Sequence, residues 1–187
     1  MDAGVRLFAE KGFRETTVGE VEAAAGLEPR RGALYRHFPS KEALLQAALE
    51  RHLQSVGEAR VTVDELPVED VHAEALMFGR WLLAELDQER AIVRILEQDG
   101  DRLAALRDGF RRNLVDAGYL AVAAMARRWR GKQAASADVE TLTVVLMGAL
   151  VNYRRSTWTF GAAPLDLDED RFLAGWAALV TLAAEAS

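Results

Sequence analysis

The sequence predicts an all-α protein, and three observations carry that prediction. Nearly every segment of the 187 residues repeats its apolar residues with helical period, and no stretch alternates as a strand would. Gly12, Gly26, Gly131 and Gly161 stand just past such periodic runs, where helices commonly end. Thr17 and Ser40 stand where new helices start, and hydroxyl side chains there can accept from the otherwise unpaired first-turn N–H groups. Half of the residues are apolar, enough to bury a sizeable core as one domain or as two small lobes.

The elements follow in order. A first helix covers Asp2 to Lys11, with Val5, Phe8 and Ala9 on one face, and Gly12 ends it. A second opens at Thr17, and Glu20 three residues on completes the pattern of a capping box. Val18, Val21 and Ala25 form its inner face, and Gly26 turns the chain sharply. Pro29 suits the first turn of a third helix, where its missing N–H costs nothing; Leu34 and Phe38, four apart, form that helix's buried edge. Pro39 and Ser40 break and recap the chain, and a fourth helix runs from Lys41 to about Gly57. The stretch Val61 to Pro67, VTVDELP, is the best internal boundary. Beyond it, helices are expected over roughly 68–86, 88–98, 101–130, 137–160 and 168–186.

Composition removes several function classes. There is no cysteine, so disulfides and thiolate metal sites are excluded. His37, His52 and His72 are scattered, and no metal-ligand or nucleophile spacing appears; neither a cofactor, a metal nor an enzymatic activity is expected. The longest charge-free apolar run, Phe172 to Ala184, is too short to span a bilayer, and no signal-like segment opens the chain. A cytoplasmic protein without a membrane partner is the expectation.

The net charge of −6 is unevenly placed. Residues 1–56 hold 8 basic and 8 acidic side chains, whereas the remainder carries the whole excess of acid. Pro29 to Lys41 holds Arg30, Arg31, Arg36 and Lys41 with no acid at all. Such a local cationic strip matters more for binding phosphates than the balance of the whole chain.

Two short helices joined at a glycine turn allow the second to lie in a DNA major groove while the first braces it. At 100° per residue, Arg31, Gly32, Tyr35 and Arg36 face outward from the third helix, with Ala33 flanking, and Arg30 shares the side of Leu34 and Phe38. Arg31 is therefore favoured over Arg30 for reading a base. Lys41 is a cation in a first helical turn, which opposes the helix dipole. It makes chemical sense where the helix N-terminus and the ammonium share an anion. Thr17 could donate its hydroxyl to a phosphate or act as a plain N-cap.

The linked segments LFAEKGF, ETTV, AAAGL and GALYRHFPSKEALL resemble the DNA-binding domain of the tetracycline-repressor (TetR-type) family of bacterial regulators, over about residues 3 to 50. The resemblance implies a helix-turn-helix DNA-binding domain over residues 1–50 and a helical ligand-binding and dimerisation domain over 51–187. It implies a homodimeric repressor released from a palindromic operator by a small-molecule effector. By position, Thr17, Ala33, Tyr35, His37 and Lys41 match places where family members contact DNA. Two departures stand out. Gly26 and Ala33 are seven apart rather than about five, and the first helix begins almost at Met1.

The last two predicted helices are apolar around most of their circumference, so both sides need covering, one by the subunit core and the other by a second subunit. Leu146, Tyr153, Leu173, Trp176 and Val180 are the dimer-interface candidates. Met77, Phe78, Trp81, Phe110, Asn113 and Asn152 are candidates for a mainly apolar effector pocket.

Overall fold

In the computed structural model, residues 2–27, 34, 36–64, 70–130 and 138–185 are described, with the backbone alone for 58–64. Among them every regular element is helical. In chain order these are α1 (Asp2–Lys11), α2 (Val18–Ala24), α3 (Lys41–Asp64), α4 (Val71–Asp99), α5 (Ala104–Phe110), α6 (Ala117–Arg130), α7 (Val139–Phe160) and α8 (Glu169–Glu185). A π-helical turn, Arg111–Asp116, joins α5 to α6.

Several boundaries follow the expectation. Gly12 and Gly26 adopt φ of +99° and +73°, the left-handed region that a Cβ disfavours, and each stops a helix. Ser40 Oγ accepts from the Ala43 N–H at 3.0 Å, recapping the chain at α3. Asp138 does the same for α7, through Thr141 N–H at 2.9 Å. Other boundaries are corrected. The expected pair 68–86 and 88–98 is one continuous helix, because Asp87 and Gln88 merely extend its exposed polar side and neither glycine nor proline stands at the expected junction. Helix α3 runs on to Asp64, through part of the stretch read as a break. The stretch 101–130 starts as a turn and is helical only from Ala104.

The chain divides into two compact units. The first comprises residues 1–60 and 89–114. Its core joins Phe8 and Phe13, Val21 of α2, Leu34, and Leu44, Leu45 and Leu49 of α3 to Ile92, Ile95, Leu106 and Phe110. The expected inner face of α1 is buried, and Gly4 allows close approach there. A Cβ at Gly4 would stand 2.9 Å from Leu44 Cδ2 and 3.1 Å from Val21 Cγ1, so α1, α2 and α3 meet over a glycine. The Phe13 N–H donates to the Asp99 carboxylate at 3.1 Å, pinning the turn after α1 to the end of α4. His52 lies 3.6 Å from Glu89, both largely buried.

The second unit comprises residues 61–88 and 115–187. Phe78 and Leu83 of α4, Val122 and Met125 of α6, Met147 and Leu150 of α7, and Leu173 and Trp176 of α8 interlock in its core. Tyr153 stacks flat on Phe172 with ring centres 4.1 Å apart, and its hydroxyl donates to the Leu167 carbonyl at 2.9 Å. Burial, then the charge of Glu169, raises the Tyr153 pKa, which keeps the phenol a donor. No helix among the described residues is long and apolar enough to cross a membrane.

A candidate nucleic-acid interface around α2 and the start of α3

The site is built on a reciprocal cap. Thr17 has extended backbone and its Oγ1 accepts from the Glu20 N–H at 3.3 Å, while Glu20 Oε2 accepts from the Thr17 N–H at 2.7 Å. The Thr17 hydroxyl also donates to Glu20 Oε2 at 2.8 Å, and Lys11 pairs with the same carboxylate. The hydrogen bond from Lys11, then those from Thr17, hold the Glu20 carboxyl down at about 2, against its ordinary 4.5. Helix α2 therefore starts at a fixed place against the end of α1. Thr17 remains exposed.

Lys41 is brought to the same corner, by a different bond from the one its sequence context suggested. Its ammonium donates to the carbonyls of Phe13 at 2.7 Å and Thr16 at 2.8 Å, and it stands 4.7 Å above the Phe13 ring. Two of its three N–H donors are thus committed to the backbone leading into Thr17. The unfavourable position of a cation in a first helical turn is offset by these charge-assisted bonds. Lys41 stitches α3 to the turn between α1 and α2.

Between these anchors the chain is held at Leu34. Its side chain is buried, its carbonyl accepts from the His37 and Phe38 N–H groups at 2.9 and 2.8 Å, and its own N–H donates to Glu22 Oε1 at 3.1 Å. Arg36 and His37 are exposed beside it. Arg30, Arg31, Ala33 and Tyr35 lie outside the described residues. Of the eight sequence-predicted contacts, the structure thus brings Thr17 and Lys41 to one corner and leaves Arg36 and His37 at the surface nearby.

Sequence reasoning missed Glu22. It is 1% exposed. The available signal was its place beside Val21 on the inward side of a seven-residue helix, where a carboxylate needs a partner.

The other two sets of candidates are placed as follows. Phe78 is buried with Trp81 and Trp176 around it, and Met77 is half-buried. Phe110 belongs to the core of the first unit, while Asn113 and Asn152 are exposed. Phe110 and Asn113 belong to the first unit, and the other four candidates to the second. A crevice lies among α6, α7 and α8, lined by Val122, Ala126, Trp129, Leu142, Leu146 and Val180, among others. It has room for about one water molecule. Tyr153, Leu173, Trp176 and Val180 are buried inside the second unit, and Trp176 Nε1 donates to the carbonyl of half-buried Leu146 at 2.9 Å. The large apolar side chains that the same two helices leave exposed are Val144, Val145, Leu179 and Leu182, with Phe160 at the end of α7.

An all-helical chain with a capped second helix, a left-handed glycine turn and a pinned segment behind it belongs to the helix-turn-helix class. Residues 1–48 match the family model for bacterial regulatory proteins of the tetR family. The uncharacterized HTH-type transcriptional regulator YvkB of Bacillus subtilis is 30% identical over 95 residues, which are 51% of this chain and 47% of that protein. The chain thus spans less than half the length of that relative. Among solved structures, a candidate fatty acid metabolism regulator from Clostridium perfringens superposes with a TM-score of 0.71 at 16% identity, covering 97% of this chain and 96% of the other. The TetR family transcriptional regulator PfmR from Thermus thermophilus does so with 0.64 at 23% identity, covering 97% and 96%. These likenesses extend the shared fold to both units.

Proposed function

We propose that the protein is a TetR-type transcriptional regulator, a homodimer that represses by binding a pseudo-palindromic operator and lets go when a small molecule binds. The observation that carries this reading is the corner formed by Thr17, Lys41 and the Leu34 segment, within the 48 residues that match the tetR family. Residues 1–50 would hold the DNA-binding function, and residues 51–187 dimerisation and effector binding. A cationic strip from Arg30 to Lys41 is suited to a groove flanked by phosphates, and Arg31 and Tyr35 are the proposed base-facing residues.

The dimer rests on a specific surface. Val144, Val145, Leu179 and Leu182 are each more than half exposed. Gly148 and Gly175 lie on the same outward sides of α7 and α8, and a Cβ at either would meet open space. Apolar side chains flanking a bare backbone suit a second copy of the same helix pair, packed about a two-fold axis as four helices.

A gel shift with the duplex lying upstream of the protein's own gene tests the proposal. A retarded complex is expected, with affinity falling steeply as salt rises. Addition of a panel of apolar small molecules, fatty acids among them, should release the DNA for at least one member. Failure to bind any duplex at low ionic strength would remove the regulator reading.

A further inference from the structure

The buried carboxylate of Glu22 serves no purpose for α2 itself. The helix is already capped by Thr17 and Glu20, and an apolar side chain at this place would extend the contact that neighbouring Val21 makes with the core. Taking a carboxylate out of water is costly unless it is hydrogen-bonded. It accepts the Leu34 N–H, twelve residues away, in a buried bond of 3.1 Å.

Leu34 is the one described residue of the stretch 28–35, and it is held in three ways. Its side chain is 5% exposed within the first unit's core, its carbonyl receives the His37 and Phe38 N–H groups, and its N–H is given to Glu22. The side chain alone would fix its depth but leave the backbone free to rotate about the chain direction. The carboxylate fixes that rotation, and with it the direction in which exposed Arg36, two residues on, leaves the backbone.

We propose that Glu22 is the positioning residue of the turn that carries Arg36 and His37: its buried carboxylate sets the orientation of the chain at Leu34, and through it the specificity of groove contacts. This rests on the DNA-binding reading above. Glu22 touches no base or phosphate in this scheme. It acts through Leu34.

Two variants separate positioning from mere packing. Glu22→Gln keeps an oxygen that can accept the Leu34 N–H; Glu22→Leu keeps the volume and removes the acceptor. Each is compared with wild type for fold by thermal melting, for Leu34 amide hydrogen exchange by NMR, and for binding by fluorescence anisotropy. The probes are the duplex upstream of the gene and a scrambled duplex of equal composition. Glu22→Leu removes a buried charge but leaves the Leu34 N–H without this acceptor, so it should melt somewhat earlier than wild type while still folding. Its Leu34 amide should exchange faster, and its preference for the upstream duplex over the scrambled one should fall about tenfold, the loss expected for one hydrogen bond to a charged group. Glu22→Gln should retain most of both. Unchanged Leu34 exchange and unchanged preference in a folded Glu22→Leu would overturn the proposal, whereas loss of both in Glu22→Gln as well would show that charge, not the acceptor, matters and overturn it too. If wild type binds neither duplex, the regulator reading fails by itself, and Leu34 exchange still reports whether Glu22 fixes the segment.

Discussion

At the scale of single residues, Lys41 shows how one side chain can meet a structural need where sequence suggested a ligand. Its ammonium bridges the carbonyls of Phe13 and Thr16 and covers an aromatic ring. Lys41→Met keeps the aliphatic stem and deletes those bonds. It should lower stability by about 1–3 kcal/mol, the range for hydrogen bonds made by a charged group, as read by urea denaturation. The same variant separates the two roles. A phosphate contact would also cut the salt dependence of DNA binding by about one unit of slope, whereas a pure brace would leave that slope unchanged.

At the scale of the element, α2 depends on its reciprocal cap. Seven residues are too few for a helix to persist in water, so its start must be fixed from outside. Thr17→Ala should cost about 1 kcal/mol, the usual loss for an N-cap hydroxyl, measured as a shift in Tm. The cap also carries a pH signature. Glu20 has a folded pKa of about 2 against an ordinary 4.5. A carboxyl depressed on folding adds stability above its unfolded pKa and loses it as pH falls through the folded value. The contribution of Glu20 should therefore be complete near neutrality and fade between about pH 4.5 and 2. In Glu20→Gln the acid side of the stability profile should flatten across that window; a profile identical to wild type would show that the Lys11 and Thr17 bonds do not persist in solution.

At the scale of the whole molecule, the proposed homodimer rests on the outward faces of α7 and α8. Four exposed aliphatic side chains around two bare glycine positions would be a liability in an isolated chain. Leu179→Glu places a charge on that surface without entering the core, because Leu179 is 59% exposed. It should shift the protein to monomer in sedimentation equilibrium with little change in Tm per subunit. It should also weaken binding to a two-half-site duplex far more than to a single half-site, since only a dimer engages both. A dimer that survives both Leu179→Glu and Val145→Glu would place the contact elsewhere.

Much of this was legible in order along the chain. Helical period, the Thr17–Glu20 cap, the stops at Gly12, Gly26 and Gly161 and the Ser40 recap are local, set by residues within about one turn of each other, and the sequence determined them unaided. So was the likeness of the first 48 residues to the tetR family, because its motifs are linked at short range. Tertiary structure alone decided which side of an apolar helix faces inward. Period cannot rank the faces of α7 and α8 when both are apolar, so Trp176 and Leu173 went to the core and Leu179 and Leu182 to the surface. It also decided the fate of charges whose partners are distant in sequence. Lys41 meets carbonyls 25 and 28 residues back, and Glu22 meets an N–H 12 residues on. No periodicity encodes such pairings, because they depend on how whole helices cross.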